Sequence, residues 1–194
     1  MRLPARVLLS TLCLAPACAM ICAAQMEGVR GHVFRDNGIG LTYTIPEKFS
    51  PKVENEMPAQ DPSGREHLIL ALWNTPERTG APQMTFLYDK KIRPAGSSRE
   101  QMAGRYLEAV KQLWVNVQGV KISGPKKISP AGYEIWRLDF WQPDALPHFN
   151  SAIAIPLRDR RILAIQGNAA SQSELDAEVD SLSELKFDEK LAAF

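Results

Sequence analysis

His32, His67 and His148 are the side chains of this 194-residue chain that could act as a base at neutral pH. A serine hydrolase would also need a nucleophile elbow, yet no Gly-x-Ser-x-Gly occurs. The nearest serine clusters are Gly96-Ser97-Ser98 and Ser123-Gly124. His67 falls on a strand that is apolar on both alternating faces, which predicts a satisfied core histidine. His32 opens a strand and His148 follows Pro147 in a loop. Metal chemistry finds no better footing. His-x-His and His-Glu-x-x-His are absent, and Glu66-His67 places adjacent side chains on opposite faces of a strand. Asp139, Asp144 and the helix acids Asp176, Glu178 and Asp180 lack the order of a calcium loop, and the helix acids read as a solvated face. Gly38-Ile39-Gly40 belongs to a hairpin rather than a phosphate loop. The residues therefore predict no catalytic group, no metal and no cofactor.

Binding chemistry is better represented. In Tyr133-Glu-Ile-Trp-Arg-Leu-Asp-Phe-Trp141, the even positions Trp136, Leu138 and Phe140 form one apolar face, expected to lie against a helix. The odd positions carry Arg137, Asp139 and Trp141, a combination in which protein-binding surfaces are enriched. Two readings stay open: a partner surface, or Arg137 and Asp139 paired to neighbouring strands with Trp141 capping the core. A second candidate is an apolar ligand pocket between the sheet and the first helix, lined by Met84, Phe86, Tyr106 and Trp114. Nucleic acid is not an expected partner. Lys+Arg total 23 against 22 Asp+Glu, and the runs Lys90-Lys91-Ile-Arg93, Lys126-Lys127 and Arg158-Asp-Arg-Arg161 sit at turns and strand ends.

The elements that must position these residues follow from periodicity. Val33 to Arg35 and Leu41 to Ile45 flank Asp36-Asn37-Gly38, a hairpin signal, and Pro46 ends the second strand. Glu47 to Ser63 carries Pro51, Pro58 and Pro62 and reads as an irregular loop. His67 to Trp73 and Gln83 to Tyr88 read as paired strands. Ser97 with Glu100, or Ser98 with Gln101, offers a capping box for a helix. Its stripe is Met102, Ala103, Tyr106, Leu107, Val110, Leu113, Trp114 and Val117, and Gly119 is its stop. Four further strands follow: Val120 to Ile128, Tyr133 to Trp141, Phe149 to Leu157 and Arg161 to Gly167. Ser171 with Glu174 then opens a second helix whose inner face is Leu175, Val179, Leu182 and Leu185. The order ββββαββββα, with short links between strands, predicts an α+β sandwich on one mainly antiparallel sheet.

Residues 1–24 stand apart. Arg2 and Arg6 precede a run that is apolar from Val7 to Ile21 apart from Ser10 and Thr11, and Cys22-Ala23-Ala24 supplies a small-residue exit. This is the pattern of a secretory signal peptide, followed by a single domain over 25–194. Export to the periplasm or cell exterior is expected. The alternatives are an uncleaved anchor, interrupted by Pro16, and a lipoprotein modified at Cys18; only these would bring a membrane into contact. Cys13, Cys18 and Cys22 all lie in this segment, so a chain cut after Ala24 is cysteine-free and rests on its hydrophobic core.

Three stretches resemble the Mog1/PsbP-like superfamily. They are the hairpin Gly38-Ile-Gly-Leu-Thr-Tyr-Thr-Ile-Pro-Glu-Lys-Phe49, the long helix after four strands, and Arg161-Ile-Leu-Ala-Ile-Gln-Gly-Asn-Ala-Ala-Ser-Gln-Ser-Glu-Leu175, which runs into a helix ending at Leu185-Lys-Phe187. The resemblance implies an α/β/α sandwich without an established catalytic site. It also implies work as a binding or assembly factor, as in photosystem II extrinsic subunits, a Ran-binding nuclear protein and bacterial envelope proteins. No plastid transit peptide precedes the domain, so a bacterial exported relative whose partner is another envelope protein is expected. No functional residue carries over from the family.

Overall fold

Apolar residues alternating along the strands build two sheets, not one, because the C-terminal Leu185 to Phe187 returns to pair with Leu41 to Tyr43. A computed structural model describes residues 28–53, 66–75, 77, 80–130, 132–143 and 146–188; the expected signal peptide over residues 1–24, including Cys18, and Asp144 lie outside the described residues. Strands β1 (Gly28–Arg30), β2 (Val33–Asp36) and β3 (Leu41–Thr44) form a small sheet, closed by the C-terminal β12 (Leu185–Phe187) against β3. The large sheet comprises β4 (Ser50–Val53), β5 (Glu66–Trp73), β6 (Met84–Asp89), β7 (Lys121–Ile122), β8 (Lys126–Ile128), β9 (Ile135–Trp141), β10 (Phe149–Pro156) and β11 (Ile162–Ala169). Its order is β4-β5-β6-β11-β10-β9, with β7 and β8 side by side on the edge of β9. All these pairings are antiparallel.

The expected hairpin is present, with β2 and β3 in register from Val33↔Thr44 to Asp36↔Leu41. Its turn is not a two-residue Asn-Gly turn. The Asp36 carboxylate accepts from the amides of Gly38 (2.8 Å) and Ile39 (3.1 Å), and the positive φ of 65° falls on Gly40. The supposed loop after Glu47 contains β4. The strand read as Val120 to Ile128 is broken at Gly124-Pro125 into β7 and β8, because proline has no amide to donate to β9.

Helix α1 (Arg99–Trp114) starts with the capping box of Ser98 and Gln101 and covers one face of the large sheet. It presses Met102, Ala103, Tyr106 and Leu107 onto Trp136, Leu138, Phe140, Ala152, Ala154 and Ala164; the small residues on β10 and β11 let the helix come close. The inner stripe stops at Trp114: Leu113, read as part of it, is 74% exposed, and Val117 lies beyond the helix. Helix α2 (Gln172–Asp180), the 3-10 turn Ser181–Glu184 and the small sheet cover the opposite face. There Tyr43, Leu70, Met84, Phe86, Ile153, Ile165, Val179 and Leu182 form the larger core. Among the described residues no helix is long and apolar enough to cross a membrane.

Candidate functional site

The α2 layer does not reach the end of the large sheet, and a cleft of about 610 Å³ opens there. One wall is the link between β5 and β6. It is tightly tied: Gln83 N–H donates to Leu72 O (2.8 Å), Asn74 N–H to Gln83 Oε1 (2.7 Å), and Trp73 Nε1–H to Gly80 O (3.0 Å). Asn168, near the end of β11, donates from its backbone to Gln83 O (2.7 Å) and from Nδ2 to Pro82 O (3.0 Å). The opposite wall is the first two turns of α2. Ser171 Oγ accepts from Glu174 N–H (3.2 Å), and Glu174 Oε2 accepts from Ala170 N–H (3.1 Å). Lys48 and Phe49, from the link between β3 and β4, together with Leu146 and Pro147, complete the lining. These hydrogen bonds hold the described residues of both walls in place.

Its chemistry centres on Glu178. The residue lines the cleft, is only 3% exposed, and its Oε2 has no hydrogen-bond partner. Thr75 Oγ1, from the facing wall, is also buried and unpartnered, as is Ser151 Oγ on β10. Gly167 makes the room: a Cβ there would sit 3.4 Å from Glu178 Oε2 and 3.2 Å from Leu175 Cδ1. Burial pushes the Glu178 carboxyl up to about 8; Lys48 opposes the rise and Glu174, one turn away, adds to it. At neutral pH the group therefore keeps its proton.

The earlier expectation for Glu178 is overturned. It was read with Asp176 and Asp180 as a solvated face, but it lies three residues after Leu175 and four before Leu182, on the inner stripe. That spacing was the available signal. Asp176 is tied to the fold as well: Arg137 NH2 donates to its Oδ1 at 2.7 Å.

Strand β9 likewise reads differently in three dimensions. Arg137 is 4% exposed, pairing with Asp139 (2.5 Å) and Asp176 (2.7 Å), while Lys126 reaches Asp139 at 3.2 Å. Trp141 is half-buried, packs near Phe149 and lies under Lys121 Nζ at 5.0 Å. Arg137, Asp139 and Trp141 thus clamp α2 and the sheet edge instead of presenting an open surface.

The proposed apolar pocket is not assembled either. Met84 and Phe86 point into the core beneath the small sheet, whereas Tyr106 and Trp114 pack on the opposite face beneath α1. Alternation along β6 separates them: Leu87, between Phe86 and Tyr88, is the side chain that faces α1. His32, His67 and His148 do not line the cleft; His32 is exposed and His148 Nδ1 lies 3.2 Å from Gln142 O.

No protein-family model and no curated protein matches this chain significantly. A solved structure does match: the solution structure of cyanobacterial PsbP (CyanoP) from Synechocystis sp. PCC 6803, with a TM-score of 0.51 and 11% sequence identity, covering 84% of this chain and 97% of that one. The fold is PsbP-like. This agrees with the resemblance carried by the hairpin, the long helix and the β11–α2 segment. The likeness is one of backbone arrangement and assigns no role to any residue of the PsbP-like domain.

Proposed function

We propose that this protein is a non-catalytic, exported binding or assembly factor that engages another protein of the bacterial envelope at the cleft beside Glu178. The single observation that carries the reading is the buried carboxyl with an unpartnered oxygen in this cleft. Such a group does nothing for folding that leucine would not do better, and buried unsatisfied groups of this kind mark sites. The PsbP-like fold supports a binding role rather than catalysis, and the leader of residues 1–24 supports export. A small-molecule carrier is the second reading, favoured by a cleft volume of about 610 Å³, which suits a compact ligand.

Site-specific photo-crosslinking in intact cells tests this. The probe is placed at Leu146, which is 81% exposed on the cleft rim, or at Leu113, 74% exposed at the end of α1 over the opposite sheet face. A discrete protein adduct is expected from Leu146 and not from Leu113. It should disappear when Ala170→Trp fills the cleft. An adduct indifferent to Ala170→Trp, or the same adduct from both positions, would sink the reading. Absence of any adduct, with a small molecule retained in native mass spectrometry, would select the carrier. The same mass shows processing: a chain starting at Gln25 is expected.

A further inference from the structure

We infer that the group received by this cleft is a primary ammonium, seated against the Glu178 carboxylate. The inference rests on the cleft being the binding site and names what enters it. When ionised, a carboxylate is an acceptor only, and Glu178 Oε2 lacks a donor. Thr75 Oγ1 is a second buried oxygen without a partner on the same cleft. Asn168 commits its Nδ2 to Pro82 O, which leaves its carbonyl oxygen as an acceptor. An ammonium brings three donors to such a set. Charge points the same way. Glu174 stands one helical turn from Glu178 and disfavours an anion. Lys48, the cation among the described residues of the lining, makes no ion pair with Glu178; its Nζ rests over the Phe49 ring, 4.7 Å from the centroid. That contact leaves Oε2 without a hydrogen-bond partner.

Binding then has a stoichiometry. The free carboxyl is protonated at neutral pH, and a cation can pair with it only after the proton leaves. One ammonium enters, one proton goes to the buffer, and no covalent bond forms. The charged and titratable groups facing this event are Lys48 and Glu174, with Tyr43 behind the helix held neutral by its own burial.

The test uses the mature chain and four defined probes: n-hexylammonium, n-hexanol, hexanoate and the blocked tripeptide acetyl-Gly-Lys-Gly-amide. Amide chemical shifts at Thr75 and Asn168 report occupancy, and calorimetry in two buffers of different ionisation heat counts protons. The ammonium probes should bind while hexanol and hexanoate do not, with close to one proton released at pH 6. Their Kd should fall about tenfold from pH 6 to pH 7 and level off above pH 8. Glu178→Gln should abolish proton release and weaken binding at least tenfold, and Thr75→Val should weaken it without changing the proton count. A tripeptide tighter than n-hexylammonium identifies a lysine on a protein partner; the reverse identifies a free amine. Hexanoate or hexanol binding as well as the amine would overturn the ammonium while leaving the cleft as the site. If no probe shifts the cleft amides, the ammonium inference fails, and the Leu146 crosslink decides the cleft independently.

Discussion

Replacing Glu178 by glutamine changes one atom and removes one ionisation, so its effect on stability is a function of pH. The carboxyl has an ordinary value of 4.5, and burial in the fold pushes it up to about 8. Because the folded value is the higher, the unfolded chain releases its proton first. The native carboxyl is fully tolerated below pH 4.5, loses stability as pH rises between the two values, and reaches its full penalty above pH 8. Linkage across that window gives a ceiling of about 4 kcal/mol between pH 5 and pH 9. Water entering the cleft relaxes the charge and reduces this to about 2 kcal/mol. For a domain of this size that corresponds to a Tm difference of about 4–8 °C. Thermal unfolding of the wild type and Glu178→Gln, followed by circular dichroism every half pH unit, isolates the effect, because all other titrations cancel in the difference. The two curves should meet near pH 5 and diverge steadily to pH 8, with the glutamine protein the more stable. Curves parallel to within 1 °C over that range would refute the claim that the carboxyl is buried at a cost.

Four further substitutions probe the frame that holds the cleft and the two helices. Gly167→Ala places a methyl 3.2 Å from Leu175 Cδ1 and 3.4 Å from Glu178 Oε2, and should lower stability by about 1–2 kcal/mol in chemical denaturation while changing Glu178's titration in carboxyl NMR. Arg137→Met leaves Asp139 with Lys126 and the half-exposed Asp176 with Gln172, and should lower stability by about 1–2 kcal/mol, with the Tm falling accordingly. Asp176→Asn breaks only the half-exposed end of the same network, and a loss of less than about 1 kcal/mol is expected. Ser98→Ala removes the hydroxyl that accepts from Gln101 N–H and should cost about 1 kcal/mol, read as a lower denaturation midpoint with an unchanged slope.

The elements governed by local chemistry were legible in the sequence. Ser98–Gln101 and Ser171–Glu174 start their helices because a hydroxyl at the N-cap answers amides that nothing else can reach. The long strands His67–Trp73 and Phe149–Leu157 were legible because they are buried on both faces. What could not be read was assignment to a sheet. Leu41 to Ile45 alternates identically whether it joins the large sheet or a small one stacked on it, and the choice depends on Leu185 to Phe187 returning to pair with β3. The missed pocket has the same origin. Period 2 states that Met84 and Phe86 share a face, not which layer covers that face. Glu178 is hidden for a different reason: its ionisable type suggests solvent, while its position does not. Its place on the stripe with Leu175, Val179 and Leu182 already put it inside.

Two buried ionisable side chains, Arg137 on β9 and Glu178 on α2, show why position alone does not make a site. Arg137 and Glu178 are equally inaccessible, at 4% and 3% exposure. Arg137 meets carboxylates at 2.5 and 2.7 Å, and its burial is the means by which β9 holds α2. Asp89 and Arg93 solve the same problem beside β6, paired at 2.7 Å with both side chains buried. Among the described residues, the other buried charged side chains meet a counter-charge from the same chain. At Glu178 the chain supplies space beside Gly167 and the field of Lys48, but no ion pair or hydrogen bond to Oε2. Every other feature of α2 agrees with docking: the Ser171 cap, Leu175 and Val179 in the core, and Asp176 on Arg137. A helix consistent in every respect but one points at that one residue as retained for something the chain does not itself contain. The asymmetry makes Glu178, rather than the more conspicuous Arg137 and Trp141, the residue on which the proposed binding site rests.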